Sequence, residues 1–135
     1  MDKTEYTISL RIEHPSTVRE EIIQRLGLVP KFSYTVGEPR STPSGKPLDG
    51  FYKLTYCCFD IIPTRTGDFT DGLKQVFKQF DGFTDYFTKL TAEGGKVEIF
   101  VGIFAVETVG FTLSVKDAIA LASMSLELSV EVYAP

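Results

Sequence analysis

Strict alternation of apolar and polar residues over residues 6–13 is the feature that most constrains the fold of this chain. In an extended strand, the apolar members of this segment lie on one side and the polar members on the other. Such a strand belongs to a sheet with one buried face and one face in water. Residues 126–133 repeat the pattern, with Leu126, Leu128, Val130 and Val132 on the inward side. The sequence therefore predicts a sheet whose helices cover one side only.

Helical patterns separate the predicted strands. The first helix has capping-box spacing at Thr17 and Glu20, and later helices follow the typical N-cap residues Asp68 and Ser114. The predicted elements are, in order, strand 6–13, helix 16–26, a short extended piece over 31–36, strand 51–60, helix 69–80, helix 83–91, strand 96–106, a short helix after Ser114 and strand 126–133. This order predicts one α+β domain over residues 1–135, a two-layer sandwich with helices on one face. Its sheet is expected to be largely antiparallel and mixed, with four to five strands in a ferredoxin-like arrangement.

Composition argues against several classes of function. The net charge is -4 and the basic residues are scattered, so we expect no nucleic-acid partner. The longest mostly apolar stretch, residues 97–106, contains Glu98 and is too short to span a bilayer, so we expect no membrane association. Residues 1–5 are polar and have no apolar run, which indicates no secretory signal and a cytoplasmic location.

Residues 37–50 contain three prolines and three glycines, which predicts a long, irregular and mobile loop. Arg40 and Lys46 in this loop could together bind an anion, although two solvated loop residues are the alternative interpretation. The tripeptide at 44–46 (Ser-Gly-Lys) is similar to the end of a phosphate-binding loop. It lacks the first glycine of that motif, and Pro47 follows where a helix should start, so a simple turn is favoured.

Three local patterns follow one another along the chain. The first helix closes with residues 26–30 (Leu-Gly-Leu-Val-Pro), a loop with glycine, arginine and lysine leads to an aromatic strand, and residues 111–114 (Phe-Thr-Leu-Ser) precede the last helix and strand. In these features the chain resembles an uncharacterised bacterial family, the domain of unknown function numbered forty-two seventy-nine. Phe51 and Tyr52 stand where that family usually has a tryptophan. The resemblance covers nearly the whole chain and implies a stand-alone bacterial domain with no known activity.

Catalytic chemistry has few candidates. His14 is the only histidine, so any serine or cysteine nucleophile would depend on it as the base. It precedes Pro15 at a strand-to-helix turn, where capping the helix start is the simpler role. Cys57 and Cys58 are neighbours on a predicted strand and cannot form an unstrained disulfide. We expect two free, mostly buried thiols with no nearby cation to lower their pKa, and we lean against an enzyme without excluding one.

Metal ligands are also sparse. One histidine and two adjacent cysteines do not make a zinc site. The aspartates at 68, 71, 81 and 85 lack the spacing of a calcium loop, and aspartates at helix starts are expected to be caps. The sequence therefore predicts no metal and no cofactor.

The wet side of the sheet is the leading candidate binding surface. Phe100 and Phe104 flank Gly102 on the wet side of strand 96–106, and an apolar spot within a polar surface is typical of a partner site. The other interpretation is that the 37–50 loop or a helix folds over both rings. The candidate residues of this face are Arg11, Phe100, Phe104, Glu127 and Glu131.

Two functional hypotheses follow. The first is a non-enzymatic protein-interaction module that forms a homodimer or binds a protein partner through the sheet face, with an immunity-like role as one instance. The second is a small-molecule binder or enzyme with a pocket under the 37–50 loop, lined by Arg40, Lys46, Tyr52 and Tyr56. The first hypothesis requires exposed rings at Phe100 and Phe104, and the second requires a concave pocket beneath the loop.

Overall fold

The computed structural model describes residues 4–134. The strands are β1 (Glu5–His14), β2 (Phe32–Tyr34), β3 (Pro39–Ser41), β4 (Pro47–Phe51), β5 (Thr55–Thr66), β6 (Lys96–Phe104) and β7 (Glu127–Tyr133). The helices are α1 (Arg19–Leu26), α2 (Phe69–Phe80), α3 (Thr84–Ala92) and α4 (Val115–Ser123), with a short 3-10 turn (Asp81–Phe83) joining α2 to α3. Within residues 4–134, no helix has the length and apolar character needed to cross a membrane.

The main sheet has the spatial order β2-β5-β1-β6-β7. β1 pairs antiparallel with β5 and β6, β2 pairs antiparallel with β5, and β7 runs parallel to β6. This confirms the predicted α+β class and the mixed, mostly antiparallel sheet. The ferredoxin-like arrangement is not confirmed, because β6 and β7 are adjacent parallel strands joined through α4, whereas that arrangement is built from split β-α-β units.

The core lies between the helices and one face of the sheet. The predicted alternation of β1 is confirmed, since Ile8, Leu10 and Ile12 are fully buried. α2 contributes Phe69, Leu73, Val76 and Phe80, which are buried, and it approaches β1 closely at Gly72. A Cβ atom at Gly72 would lie 2.9 Å from the ring of Tyr6. Burial of these aliphatic and aromatic side chains is the main source of stability.

The first helix starts later than the sequence predicts. α1 begins at Arg19 without a side-chain cap, so the capping box predicted at Thr17 and Glu20 is wrong. His14 instead organises the preceding turn: its Nδ1 accepts the backbone N–H of Ser16 at 3.1 Å and that of Thr17 at 2.9 Å. These bonds keep the backbone out of the helical conformation until the turn is complete. The predicted caps at the starts of α2 and α4 are confirmed.

The segment 37–50 is more regular than predicted. It contains the antiparallel hairpin of β3 and β4 in place of an irregular loop. Gly45 adopts a φ of 89°, and its N–H bonds to the carbonyl of Thr42 at 2.8 Å, which closes the turn. The strand predicted over 51–60 is also corrected, because Phe51 ends β4 and β5 runs over Thr55–Thr66.

Candidate interaction face

The side of the main sheet that faces away from the helices, here called the open face, is the candidate site. Phe100 is partly exposed and Phe104 is 43% exposed, so neither the helices nor the 37–50 hairpin covers them fully. Every strand of the main sheet contributes to this face. Its aromatic residues are Phe32, Tyr34, Tyr56, Phe100, Phe104 and Tyr133.

Arg11 lies at the centre of the open face and stacks on Phe100. The central carbon of its guanidinium is 3.6 Å from the centroid of the Phe100 ring. Its Nη1 is 3.9 Å from Glu98 Oε1, and its Nε is buried without a hydrogen-bond partner in residues 4–134. Arginine carries five N–H donors and this side chain is 35% exposed, so the N–H groups of its Nη atoms, and not the buried Nε, are the ones that an acceptor from outside the chain can reach.

Charged side chains surround this centre. Lys96 Nζ lies 3.3 Å from Glu98 Oε2, and the hydrogen bond to Glu98 raises the pKa of Lys96. On β7, Glu127 also acts on Lys96 through its charge. The acidic residues of the face outnumber its basic ones, so its rim is negative. The charged residues of the open face are Arg11, Lys31, Lys96, Glu13, Asp60, Glu98, Glu127 and Glu131.

Two depressions meet at the Arg11–Phe100 pair. One, of about 360 Å³, extends towards β7 and is lined by Tyr56, Glu98 and Glu131. The other, of about 470 Å³, extends along the sheet towards Phe104. Because both are lined by Arg11 and Phe100, they form one concave strip with this pair at its middle.

Gly102 shapes the far end of this strip. A Cβ atom there would lie 3.1 Å from Thr7 Oγ1 and 3.3 Å from the ring of Tyr133, so any larger residue would have to displace one of them slightly. Tyr133 stacks on Phe104 with a centroid distance of 5.2 Å, and its hydroxyl donates to Glu131 at 2.7 Å. That hydrogen bond raises the pKa of Tyr133. Sequence reasoning missed Tyr133, although the alternation of β7 places it beside Glu131.

A second aromatic group lies at the β2 end of the sheet. Tyr34 stacks on Tyr52 with a centroid distance of 3.6 Å and an interplanar angle of 9°. The centroid of Tyr56 is 5.6 Å from that of Tyr34, and burial raises the pKa of both Tyr34 and Tyr56. Sequence reasoning missed Phe32 and Tyr34, because the short strand β2 has no clear alternation to mark them.

The structure separates the residues of the 37–50 hypothesis. Tyr56 lies on the open face near Arg11, whereas Arg40 and Lys46 lie in the hairpin. Arg40 Nη1 donates to the carbonyl of Asp49 at 3.1 Å, and Lys46 is exposed beside the hairpin turn. These residues therefore do not line one common pocket.

The hairpin does have a depression of its own at its base. It measures about 320 Å³ and is lined by Arg19, Tyr34, Glu38 and Tyr52 among others. The polar groups around it are paired within the chain: Arg19 Nη1 lies 3.7 Å from Glu38 Oε1, and the hydroxyl of Tyr52 donates to the carbonyl of Ser41 at 3.0 Å.

The nucleophile candidates are poorly placed for catalysis. Cys57 and Cys58 are free, as predicted. Burial raises the pKa of the Cys57 thiol to about 12, and it outweighs the opposite effect of Arg19, a nearby cation that the sequence did not predict. His14 is buried, and its Nε2 is 3.0 Å from Glu93 Oε1 while its Nδ1 holds the turn. Both ring nitrogens are therefore in use.

Metal binding has no evident centre in the part of the chain that the structure describes. No group of three or more histidine, cysteine, aspartate or glutamate residues there is arranged to hold an ion. Asp68 accepts the N–H of Thr70 at 2.9 Å, which is the helix-capping role predicted for it.

Fold and face together define a small α+β domain with a one-sided sheet and an aromatic, acid-rimmed open face. A family model described as "Domain of unknown function (DUF4279)" matches residues 4–135. The chain therefore belongs to this family, as its sequence features suggested. Comparison with curated proteins gives no match, and neither does comparison with solved structures.

Proposed function

We propose that this chain is a non-enzymatic protein-interaction domain that binds a different protein on its open face. The observation that carries this proposal is the Arg11–Phe100 pair, which lies in the middle of a concave strip with the guanidinium partly exposed. Arginine and aromatic side chains near the centre of a surface are the residue types that dominate binding energy at protein interfaces.

The face also indicates what chemistry the partner brings. A hydrogen-bond acceptor on the partner, such as a carboxylate or a backbone carbonyl, would accept hydrogen bonds from the guanidinium of Arg11. Apolar side chains would cover Phe104 and Tyr133, which are both partly exposed. Basic side chains would pair with the acidic rim, so association is expected to weaken as the salt concentration rises.

A different protein is favoured over a second copy on this face. The open face has an acidic excess, and a face-to-face homodimer would oppose two negative rims. An immunity-like role, in which the partner is a toxin, is the narrower form of this proposal. The alternative of a small ligand beneath the 37–50 hairpin has less support, because Arg19 and Tyr52 already have partners within the chain.

Affinity capture with matched variants tests the proposal. The purified chain is immobilised and exposed to a lysate of its own host, and bound proteins are quantified by mass spectrometry. We expect at least one protein to be retained by the wild type and to fall at least tenfold on a double variant carrying Arg11→Ala and Phe104→Ala. The matched control is Gln79→Ala on the exposed surface of α2, which should retain that protein fully.

The captured protein is then purified, and its affinity is measured at two salt concentrations. A dissociation constant that rises with salt, and rises again in the double variant, supports the proposal. Equal recovery on the double variant and on the wild type would contradict it. If the partner is a toxin, the double variant should also fail to protect cells from it.

A further inference from the structure

The strand β7 forms an exposed margin of the main sheet and pairs, within the described residues, along one side only. The opposite margin is β2, which has three residues, whereas β7 has seven and pairs with β6 without a register shift. Proteins usually protect long edge strands with charged side chains, above all lysine, with proline or with a bulge, because unpaired backbone groups attract another strand. β7 contains no proline, lysine or bulge, and its charged residues are Glu127 and Glu131.

The outward backbone groups of β7 follow from its pairing with β6. The carbonyl of Tyr133 accepts the N–H of Ala105 at 3.3 Å, so the polar groups of Tyr133 point towards β6. This direction alternates along a regular strand. Leu128, Val130 and Val132 therefore direct their N–H and C=O groups away from the sheet, where a further strand can pair with them.

The side chains of these three residues are apolar and incompletely covered. They lie on the helix side of the sheet, yet Leu128 and Val130 are only half-buried and Val132 is 52% exposed. Leu10 of β1, which lies in the same row of the sheet as Leu128, is fully buried. The helices thus cover the apolar side chains of β7 only in part.

The helix above this edge exposes apolar residues in the same region. On α4, Val115 is 77% exposed and Ile119 is 60% exposed. Both lie two residues from Asp117, whose carboxylate is 3.8 Å from Lys74 of α2. Two residues correspond to about half a helical turn, so Val115 and Ile119 face away from α2. The exposed side of α4, opposite Asp117, is therefore apolar.

We propose that a second copy of this chain pairs its β7 antiparallel with this β7, about a two-fold axis at Val130. In this register Val130 faces its own counterpart, and Leu128 of each copy faces Val132 of the other. All three are residues with outward backbone groups, so each of these pairs can exchange hydrogen bonds. The sheet becomes continuous across both copies, and the two α4 helices cover the joint.

The charges of β7 favour this register over its neighbours. With the axis at Val130, Glu127 faces Tyr133 of the other copy and Ser129 faces Glu131. Moving the axis to Ser129 would oppose Glu127 and Glu131, and moving it to Glu131 would oppose two copies of Glu131. Like charges directly opposite each other across two strands are destabilising. The strand is thus self-complementary in one register, which favours a second copy as the occupant of this edge.

Sedimentation equilibrium at micromolar concentrations tests this inference. For the wild type we expect a mass near twice 15.0 kDa. Ile119→Lys changes only an exposed side chain and should weaken the dimer at least tenfold, as should Val130→Pro, which removes an outward N–H. Gln79→Lys on α2 and Arg11→Ala on the open face should leave the dimer intact. A 15.0 kDa mass throughout, or loss of the dimer in Arg11→Ala with Ile119→Lys unaffected, would overturn the inference.

Residue-resolved hydrogen exchange provides a readout that does not depend on any variant. The amides of Leu128, Val130 and Val132 should be protected at concentrations where the dimer forms and should lose protection on dilution. The amides of Ser129 and Glu131 point towards β6 and should stay protected at both concentrations. A dimer in which the first three amides exchange freely would show that another surface forms the joint.

Discussion

The two faces of the main sheet are made by alternate residues of the same strands, yet they differ in almost every physical property. On the helix side of β1, Ile8, Leu10 and Ile12 are fully buried among other apolar side chains. On the open side, Arg11 stacks on Phe100 and keeps a buried Nε without a partner in residues 4–134. Neighbouring residues of one strand thus differ in burial, and we expect those of the helix side to determine stability and those of the open side to determine binding.

The contrast is also one of residue type. The side chains of the helix side are apolar and close-packed, so they make their contacts within the chain. The open side carries arginine, tyrosine, phenylalanine and an excess of acids, which leaves donors, rings and charge available to a partner. Substitutions on the two faces should therefore affect different measurements.

The largest effect is expected for the centre of the buried face. Leu10→Ala should lower the free energy of unfolding by about 2–5 kcal/mol, because it removes a fully buried side chain and leaves a cavity. Urea unfolding followed by circular dichroism measures the change. The matched substitution on the open side of the same strand is Ser9→Ala, with an expected change within about 0.5 kcal/mol. Similar losses for both variants would remove the distinction between the faces.

A somewhat smaller effect is expected where the chain turns into β6. A Cβ atom at Gly95 would lie 2.7 Å from the carbonyl oxygen of Glu13 and 2.8 Å from that of Leu90. Gly95→Ala should therefore lower the free energy of unfolding by about 1–3 kcal/mol through overpacking against the backbone. Gly82→Ala is the control, because a methyl group at that position would have nothing within 4 Å. The midpoint of thermal unfolding is measured for both variants. Equal midpoints would contradict the close contact at Gly95.

Alkaline pH should lower the free energy of unfolding through the buried thiol of Cys57. Burial raises the pKa of Cys57 from 9.0 to about 12, so the folded state keeps a proton that the unfolded state releases. Stability is therefore fully present below about pH 9 and is lost as the pH rises towards 12. Urea unfolding at a series of pH values should show this decline, and Cys57→Ala should make it less steep. An equal slope in the variant would argue against a buried, protonated thiol.

The smallest effect on stability is expected on the open face. Arg11→Ala combined with Phe104→Ala should change the free energy of unfolding by no more than about 1 kcal/mol, because both side chains are partly exposed. The same double variant should lose partner binding at least tenfold. Calorimetric unfolding and binding measurements on one preparation would separate the two effects, and a large loss of stability would place these residues in the structural core instead.

Much of the fold could be predicted because its signals are local. The alternation of β1 and β7 marks the buried and open faces directly, and the caps at Asp68 and Ser114 precede their helices in sequence. The start of α1 could not be predicted in this way, because its turn is held by the imidazole of His14. The hairpin over 37–50 was missed because its prolines and glycines are also typical of an irregular loop.

The candidate site could be predicted only in outline. Arg11 and Phe100 were both expected on the wet side, but their contact depends on the register of β1 against β6, which joins residues far apart in the chain. Tyr133 could have been found from the alternation of β7. Tyr34 could not, because its place on the face is set by the pairing of a three-residue strand with β5. The binding role of these residues stays a prediction.

Site-specific photo-crosslinking shows directly whether a partner protein contacts the open face. A photoreactive phenylalanine analogue replaces Phe104 on the open face, and in a second sample it replaces Gln79 on the exposed surface of α2. After irradiation in host lysate, we expect one discrete crosslinked protein for the Phe104 position, lost when Arg11→Ala is added, and none for the Gln79 position. Equal crosslinking at both positions, or a Phe104 product that persists without Arg11, would contradict the assignment of recognition to the open face.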